Sequence, residues 1–409
     1  MSVPMPPDDL IPVEEHLSRI LGAVDRLAPV ELPIMDAIGL TLVDDVIATA
    51  PLPGFDNSGM DGYAVVADDL VGASRQTPVT LPVIGDIAAG SAAVTSINPG
   101  QTARIMTGAP VPLGCTAVVP VEWTDQGTAE VQIFEAPRLG QHIRCAGEDV
   151  RPGDLLVCAG TTIGPREIAA IVSGGWGQVR VVRRPKVAVL STGLELRQPG
   201  EPLGPDSLYD SNSFMLAAQV EALGGVADRV VVATDDPKAF ALALAPHLSS
   251  ADAIVTSGGV SKGAFDVVKE VLRERVRFDT VAMQPGKPQG FGLLGERRVP
   301  IFTLPGNPVS SYISFEVFVL PALRKMMGRS LLSRPLHEAT LTESVRSVVG
   351  KRQFLRGKYD GGSVDPAGGP GSHLVAGLAG ANALIVLDEE CASAEVGDRV
   401  PVLVLDENF

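Results

Sequence analysis

Thr256-Ser-Gly-Gly-Val-Ser-Lys-Gly-Ala-Phe-Asp266 joins two segments of different periodicity. Before it, Ala253-Ile-Val-Thr256 is an apolar, β-branched run that predicts a buried strand. After it, Val267-Val-Lys-Glu-Val-Leu-Arg273 predicts a helix. A glycine-rich turn between strand and helix lets backbone N–H groups close on an anion. Ser257, Gly258, Gly259 and Ser261 are therefore candidate anion donors. Asp266 stands near the helix start, where a carboxylate either caps the helix or holds a metal ion. A strand–Gly–Gly–helix unit occurs throughout α/β proteins, so the surrounding chain must decide what this one does.

From Pro185 to Met327 the pattern alternates. Strands are predicted over Lys186–Leu190, Arg229–Val232, Ala253–Thr256, Thr280–Met283 and Pro300–Leu304. Helices are predicted over Ser213–Leu223, Pro237–Leu248, Val267–Arg275 and Val309–Met327. This order implies a doubly wound, mainly parallel sheet, which binds ligands at the carboxyl ends of its strands. Ser191-Thr-Gly, Thr256-Ser-Gly-Gly and Leu304-Pro-Gly-Asn all follow strand ends and should share one rim.

The flanks read differently. Val13 to Ala28 has the apolar spacing of an amphipathic helix, and a second short helix is expected after Pro33. Residues 53–140 carry strands at Val79–Ile84, Ala117–Val121 and Val131–Phe134, a small β-rich insertion. Residues 332–409 are β again, clearest at Ala383–Leu387 and Val400–Leu405, and are long enough for a small barrel or sandwich. Gly361 to Gly371 reads as a mobile hairpin or loop.

A chain of 409 residues predicts two to four domains. Its net charge of −15 argues against nucleic acid or an anionic membrane as the main partner. An anionic substrate would then need positive charge gathered locally. The four cysteines form no Cys-x-x-Cys pair and the five histidines no His-x-x-x-His pair, which speaks against a zinc site or a disulfide frame. The N-terminus lacks a signal-peptide pattern, and no apolar run approaches a membrane span, so a cytoplasmic location is expected.

Several carboxylates adjoin Gly, Ser or Thr: Asp61, Asp149, Glu195, Asp235 or Asp236, and Asp266. A helix cap or Asx turn explains each taken singly. Glu195, Asp236 and Asp266 follow strands of one predicted sheet, however, and could converge on a hard cation such as Mg²⁺. Lys287 lies in the rigid turn Pro285-Gly-Lys-Pro288. Ser310 either caps the helix after Asn307-Pro308 or donates to an oxyanion, and the two roles are compatible. No Ser–His–Asp or Cys–His arrangement is evident.

Five motifs stand in a set order: Ser58-Gly-Met-Asp-Gly-Tyr-Ala64, Arg104-Ile-Met-Thr-Gly-Ala-Pro110, the glycine-rich loop, Pro285-Gly-Lys-Pro288 and Leu304-Pro-Gly-Asn-Pro-Val-Ser310. Through them the chain resembles the molybdopterin molybdenumtransferases (molybdenum insertases), the family of MoeA and the gephyrin E domain, from about residue 10 to the C-terminus. The resemblance implies an elongated N-terminal linker domain of helical and extended segments (1–52 with 141–184), the β-rich insertion (53–140), a molybdopterin-binding α/β domain (185–331) and a C-terminal β-barrel (332–409). It implies hydrolysis of adenylylated molybdopterin, with molybdate as second substrate and Mg²⁺ as cofactor. Asp61, Thr107, Asp149, Glu195 and Asp266 would be the functional polar residues, with Asp266, Glu195 and Asp236 at the metal. Lys287, Pro288, Pro305, Pro308 and Ser310 would line the substrate site, and Arg356 of Phe354-Leu-Arg-Gly357 would contact molybdate. A guanidinium suits an oxyanion because it offers several donors in a plane. The family also implies a homodimer with composite sites, and as partners a molybdopterin adenylyltransferase and apo-molybdoenzymes.

The chain departs from that pattern twice. Gln284 replaces a lysine common among relatives, and Gly377 replaces a serine, with Ser372 a nearby substitute in another register. The alternatives are an adenylyltransferase acting on molybdopterin, which is usually a far shorter protein, and a non-catalytic scaffold like gephyrin.

Overall fold

The computed structural model describes residues 10–90, 94–232, 236–258, 267–369, 371–407 and 409. The chain divides into two compact units: one of residues 1–30, 39–43 and 180–409, the other of 31–38 and 44–179.

The first unit is built on a six-stranded sheet. Its spatial order is Val226–Val232, Lys186–Thr192, Ala253–Ser257, Val299–Leu304, Pro288–Leu294, Val276–Thr280. The first four strands are mutually parallel, Pro288–Leu294 is antiparallel to both its neighbours, and Val276–Thr280 thus runs with the first four. Alternation sends Val187, Val189, Val255 and Phe302 to one face, under Leu216, Val220, Ile313 and Phe318. Ala188, Leu190, Ile254 and Ile301 face the other, under Phe240, Leu244, Val267 and Val268. Both faces are thus covered by helices, which is why these strands read as continuous apolar runs. Each fully buried large side chain contributes about 1.5–3 kcal/mol. The doubly wound, mainly parallel sheet is as expected.

Several boundaries differ from the sequence reading. Thr280–Met283 is not one strand: Val276–Thr280 closes the edge of this sheet, while Met283–Gln284 joins a second sheet, parallel to Arg352–Tyr359. The expected Pro237–Leu248 helix ends at Leu244, and a separate turn, His247–Ser250, follows Pro246. The N-terminal helix is Val13–Ala23, shorter than expected, and Val24 is already extended. After Pro33 the expected short helix is a single 3₁₀ turn, Ile34–Ala37. The long C-terminal helix runs Pro308–Ser314, widens to a π turn at Phe315–Val319 and resumes at Leu320–Met326. Pro321 has no N–H to return to that turn, which favours the widening.

The C-terminal residues form a closed barrel. Arg352–Tyr359 pairs with Ser363–Pro366 on one side and Ala383–Leu387 on the other. The ring passes through Leu336–Leu341 and Arg399–Val404 back to Ala383–Leu387. Met283–Gln284 adds to its Arg352–Tyr359 strand, so one edge of the barrel is tied to the turn that carries Lys287.

The second unit centres on a five-stranded sheet: Ala117–Pro120, Gly62–Val65, Thr102–Ile105, Val79–Ile87, Glu130–Ile133. Tyr63, Val65, Leu70, Val119 and Ile133 fill one side. No helix among the described residues is long and apolar enough to cross a membrane.

Candidate functional site

Strand direction places the site. Three parallel neighbours end at Thr192, Ser257 and Leu304 on one rim, where the strand order reverses. A cavity of about 950 Å³ opens there. That volume lies within the range of small-molecule sites. Of the residues expected at the site, Glu195, Ser257, Gly258, Lys287, Pro288, Pro305, Pro308 and Ser310 all line it. Gln284 and Ser372 line it too.

Glycines let these loops approach. Gly258 has φ +90°, and its N–H donates to Leu304 O at 3.2 Å. A side chain there would press on Thr192 O. Gly193 lets the Glu195 carboxylate fold back over the backbone: a Cβ at 193 would lie 2.6 Å from its oxygens. Glu195 is exposed, the open carboxylate of the wall. Gly286, with φ +106°, turns the Lys287 segment into the cavity against Ser314 and Met283.

Residues that the sequence reading passed over hold these loops together. Asp210 is buried at the cavity wall and accepts from the Ser191 and Ser213 hydroxyls, each at 2.6 Å, and from the Ser213 N–H at 3.0 Å. Asn212 donates from Nδ2 to Ser257 Oγ at 2.8 Å and Gly306 O at 2.7 Å. Its Oδ1 is shielded and has no partner among the described residues. Asn307 Nδ2 donates to Ser372 Oγ at 2.9 Å, and the Val309 N–H donates to Ser372 O at 3.1 Å. The barrel loop around Ser372 and His373 is thereby fixed at the cavity edge. Asp, Ser and Asn in Tyr209-Asp-Ser-Asn212, directly before a helix, were the one sequence signal that could have pointed to this network.

Other expected residues lie elsewhere. Gly259, Ser261 and Asp266 lie outside the described residues. Asp236 caps the Pro237–Leu244 helix, accepting from the Lys238 N–H at 3.0 Å. Among the described residues no three His, Cys, Asp or Glu side chains cluster as a metal site. Arg356 is buried, at 3 % exposure, and is not among the described residues of the cavity wall. Its guanidinium donates to the carbonyls of Gly368, Gly369, Gly371 and Leu374. The sequence reading placed this arginine at an oxyanion; here it clamps a glycine-rich loop. Its pKa is lowered by burial. Gly377 lies beneath that clamp, and a Cβ on it would come within 2.8 Å of the Gly368 Cα. A serine, as the resemblance implies for relatives, would not fit at this position without backbone movement.

In the second unit the two N-terminal motifs meet. The Gly108 N–H donates to Ser58 O at 2.8 Å and the Ser58 N–H to Ala109 O at 3.0 Å. Gly62 sits so close to its neighbour that a Cβ would strike Val119 O at 2.0 Å. This stitching brings Asp61 Oδ1 to the Thr107 N–H at 2.7 Å and its hydroxyl at 2.8 Å. The backbone N–H first, then the hydroxyl, hold the exposed Asp61 carboxyl below its ordinary pKa. Asp149 is exposed, and its N–H donates to Leu52 O at 3.0 Å.

Comparison with known proteins agrees with this architecture. The MoeA N-terminal region (domain I and II) matches residues 11–175, a probable molybdopterin binding domain matches 188–325, and the MoeA C-terminal region (domain IV) matches 338–405. Molybdopterin molybdenumtransferase 2 of Mycobacterium tuberculosis is 44% identical over 400 residues, 95% of this chain and 98% of its own. The molybdopterin molybdenumtransferase of Haemophilus influenzae is 35% identical over 382 residues, 91% of this chain and 92% of its own. The crystal structure of the molybdopterin biosynthesis MoeA protein of Pyrococcus horikoshii superposes with a TM-score of 0.83 at 31% identity, covering 98% of this chain and 100% of that one. Matches across nearly the whole length, on sequence and on fold, place this chain in the molybdopterin molybdenumtransferase family.

Proposed function

We propose that the protein is a molybdenum insertase. It hydrolyses adenylylated molybdopterin and passes molybdenum from molybdate to the dithiolene. The observation that carries this reading is the convergence of Glu195, Ser257, Gly258, Lys287 and Ser310 on one cavity, at the carboxyl ends of adjacent strands. Water breaks the pyrophosphate link and AMP leaves. The two thiol sulfurs then bind molybdenum, and one oxo group departs as water with the two thiol protons. Lys287 and the donors of Ser257, Gly258 and Ser310 hold the anionic groups, lowering the entropic cost of bringing molybdate to the sulfurs. Pro288, Pro305 and Pro308 stiffen the wall. Asp61, Thr107 and Asp149 are polar participants from the second unit in the same proposal.

Mg²⁺ belongs to the reading through oxygen donors, with Glu195 and Asp266 as holders. The described residues alone do not assemble a metal-binding set, and Asp236 is occupied as a helix cap, so no step is routed through the ion. The four-part division of the chain, a homodimer and a cytoplasmic location complete the proposal. The test is to supply purified protein with adenylylated molybdopterin, molybdate and Mg²⁺. AMP release that depends on molybdate, with reconstitution of an apo-molybdoenzyme, is expected. Consumption of ATP with release of pyrophosphate would show an adenylyltransferase instead, and absence of both would leave a scaffold. Light scattering checks the dimer, and a stable, fully active monomer would overturn that part.

A further inference from the structure

The cavity must bind anions on a protein of net charge −15, so its local cations decide affinity. The Pro285–Pro288 turn supplies Lys287. Lys351 lines the same cavity from the C-terminal barrel.

The backbone fixes Lys351 there. It follows the turn at Gly350, whose φ is +86°. The Lys351 N–H donates to Val348 O at 3.2 Å, and the Arg352 N–H donates to Ala282 O at 2.9 Å. Met283 and Gln284 then pair with Arg352 and Gln353. The start of this barrel strand is therefore anchored beside the Gln284–Lys287 turn. Of the basic residues on the strand, Arg352 is engaged by Glu14 and Glu389, Arg356 by backbone carbonyls, and Lys358 lines a different pocket with Glu343 and Asp365. Lys351 is half-buried, and its ammonium has no hydrogen-bond or ion-pair partner among the described residues. A partly desolvated ammonium without a partner is stabilised by an arriving anion. The carboxylates on the same wall do not satisfy it: Asp210 is committed to Ser191 and Ser213, and Glu195 folds over Gly193.

We propose that Lys351 is the second cation of this cavity, supplied by the barrel to bind a tetrahedral oxyanion together with Lys287. The oxyanion is either molybdate or a phosphate of the nucleotide. The inference rests on the functional reading above and extends it.

The test is calorimetric titration of molybdate and, separately, AMP into wild type and into the Lys351→Arg, Lys351→Gln and Lys351→Glu variants. Each is done at low and at near-physiological salt. Unchanged melting temperatures confirm that these substitutions leave the fold intact. Lys351→Gln should weaken one of the two anions about tenfold at low salt, with Lys351→Glu weaker still and Lys351→Arg within about threefold of wild type. The salt dependence should shrink in the Gln variant. Loss for molybdate alone assigns the residue to molybdate; loss for AMP alone assigns it to the phosphate. If wild type binds both and Lys351→Gln binds both equally well, the assignment of Lys351 is overturned while the functional reading stands. If wild type binds neither, both fall.

Discussion

At the scale of single residues, two contacts make direct predictions. Asp61 keeps a depressed pKa because the Thr107 N–H and hydroxyl both donate to its Oδ1. Thr107→Val keeps the first donor and removes the second, so the Asp61 pKa should rise towards its ordinary value. The sign follows: the wild-type carboxylate stays charged as pH falls through the ordinary range, and the variant neutralises earlier. Carboxyl-carbon NMR titration reads this directly, and an unmoved titration would show the hydroxyl to be irrelevant. Gly377 gives the second prediction. A Cβ there meets the Gly368 backbone at 2.8 Å and Arg356 Nη1 at 3.4 Å. Gly377→Ser should therefore cost roughly 1–3 kcal/mol in urea unfolding, not add a useful donor. A neutral effect would mean that the Gly368 loop yields easily.

Individual elements decide pH behaviour and show what the sequence could reveal. His16 is buried in the Val13–Ala23 helix, edge-on to Phe318 at 4.8 Å, with Nδ1 3.4 Å from Asp279. Burial chiefly lowers its pKa, to about 4, against the opposing pull of Asp279. The folded state thus prefers the neutral ring. Its stability contribution is whole above pH of about 6.5 and is lost as pH falls towards 4, at up to about 1.4 kcal/mol per unit. His16→Gln should flatten the urea midpoint over that window; an identical acid slope would assign the loss to other groups. The same helix illustrates legibility. Its apolar spacing was readable, but its end at Ala23 was not, because the spacing runs on through Val24 and Leu27 to Pro29 although Gly22 lies in the last turn. The Lys186–Leu190, Ala253–Thr256 and Pro300–Leu304 runs were plain because both faces of the sheet are buried. Pro288–Leu294 escaped because Pro288, Gly290 and Gly292 spoil a strand pattern. Yet both glycines are required: a Cβ at 290 would meet Thr303 Oγ1 at 2.0 Å, and one at 292 would meet Arg275 O at 2.3 Å. The rim loops were legible from their Gly and Pro residues. Lys351 was not, because tertiary contacts alone bring it to the cavity, and Asp210 and Asn212 showed in the sequence only as capping residues beside a helix.

At the scale of the whole molecule, the described cavity wall belongs to one of the two compact units, residues 1–30, 39–43 and 180–409. The Asp61–Thr107 pair belongs to the other. Each unit has its own buried clusters, so each can report on ligand binding separately. A ligand that binds only the folded state stabilises it by RT ln(1 + [L]/Kd), about 2.7 kcal/mol at a hundredfold excess over Kd. AMP with molybdate should therefore raise the unfolding temperature of the sheet that carries Ser257 and Lys287. Hydrogen exchange on the intact chain locates the effect. Protection should appear at Thr192–Glu195, at Ser257 and Gly258, at Gln284, Gly286 and Lys287, and at Ser372 and His373. If AMP and molybdate protect only those segments, Asp61 and Thr107 take no part in holding these ligands, and their role must lie in binding the pterin or in the chemical step. If Gly59–Gly62 and Thr107 are protected equally, they join the anion site. Protection of neither set, at ligand concentrations that saturate binding by calorimetry, would place the anions outside this cavity and remove the basis of the functional proposal.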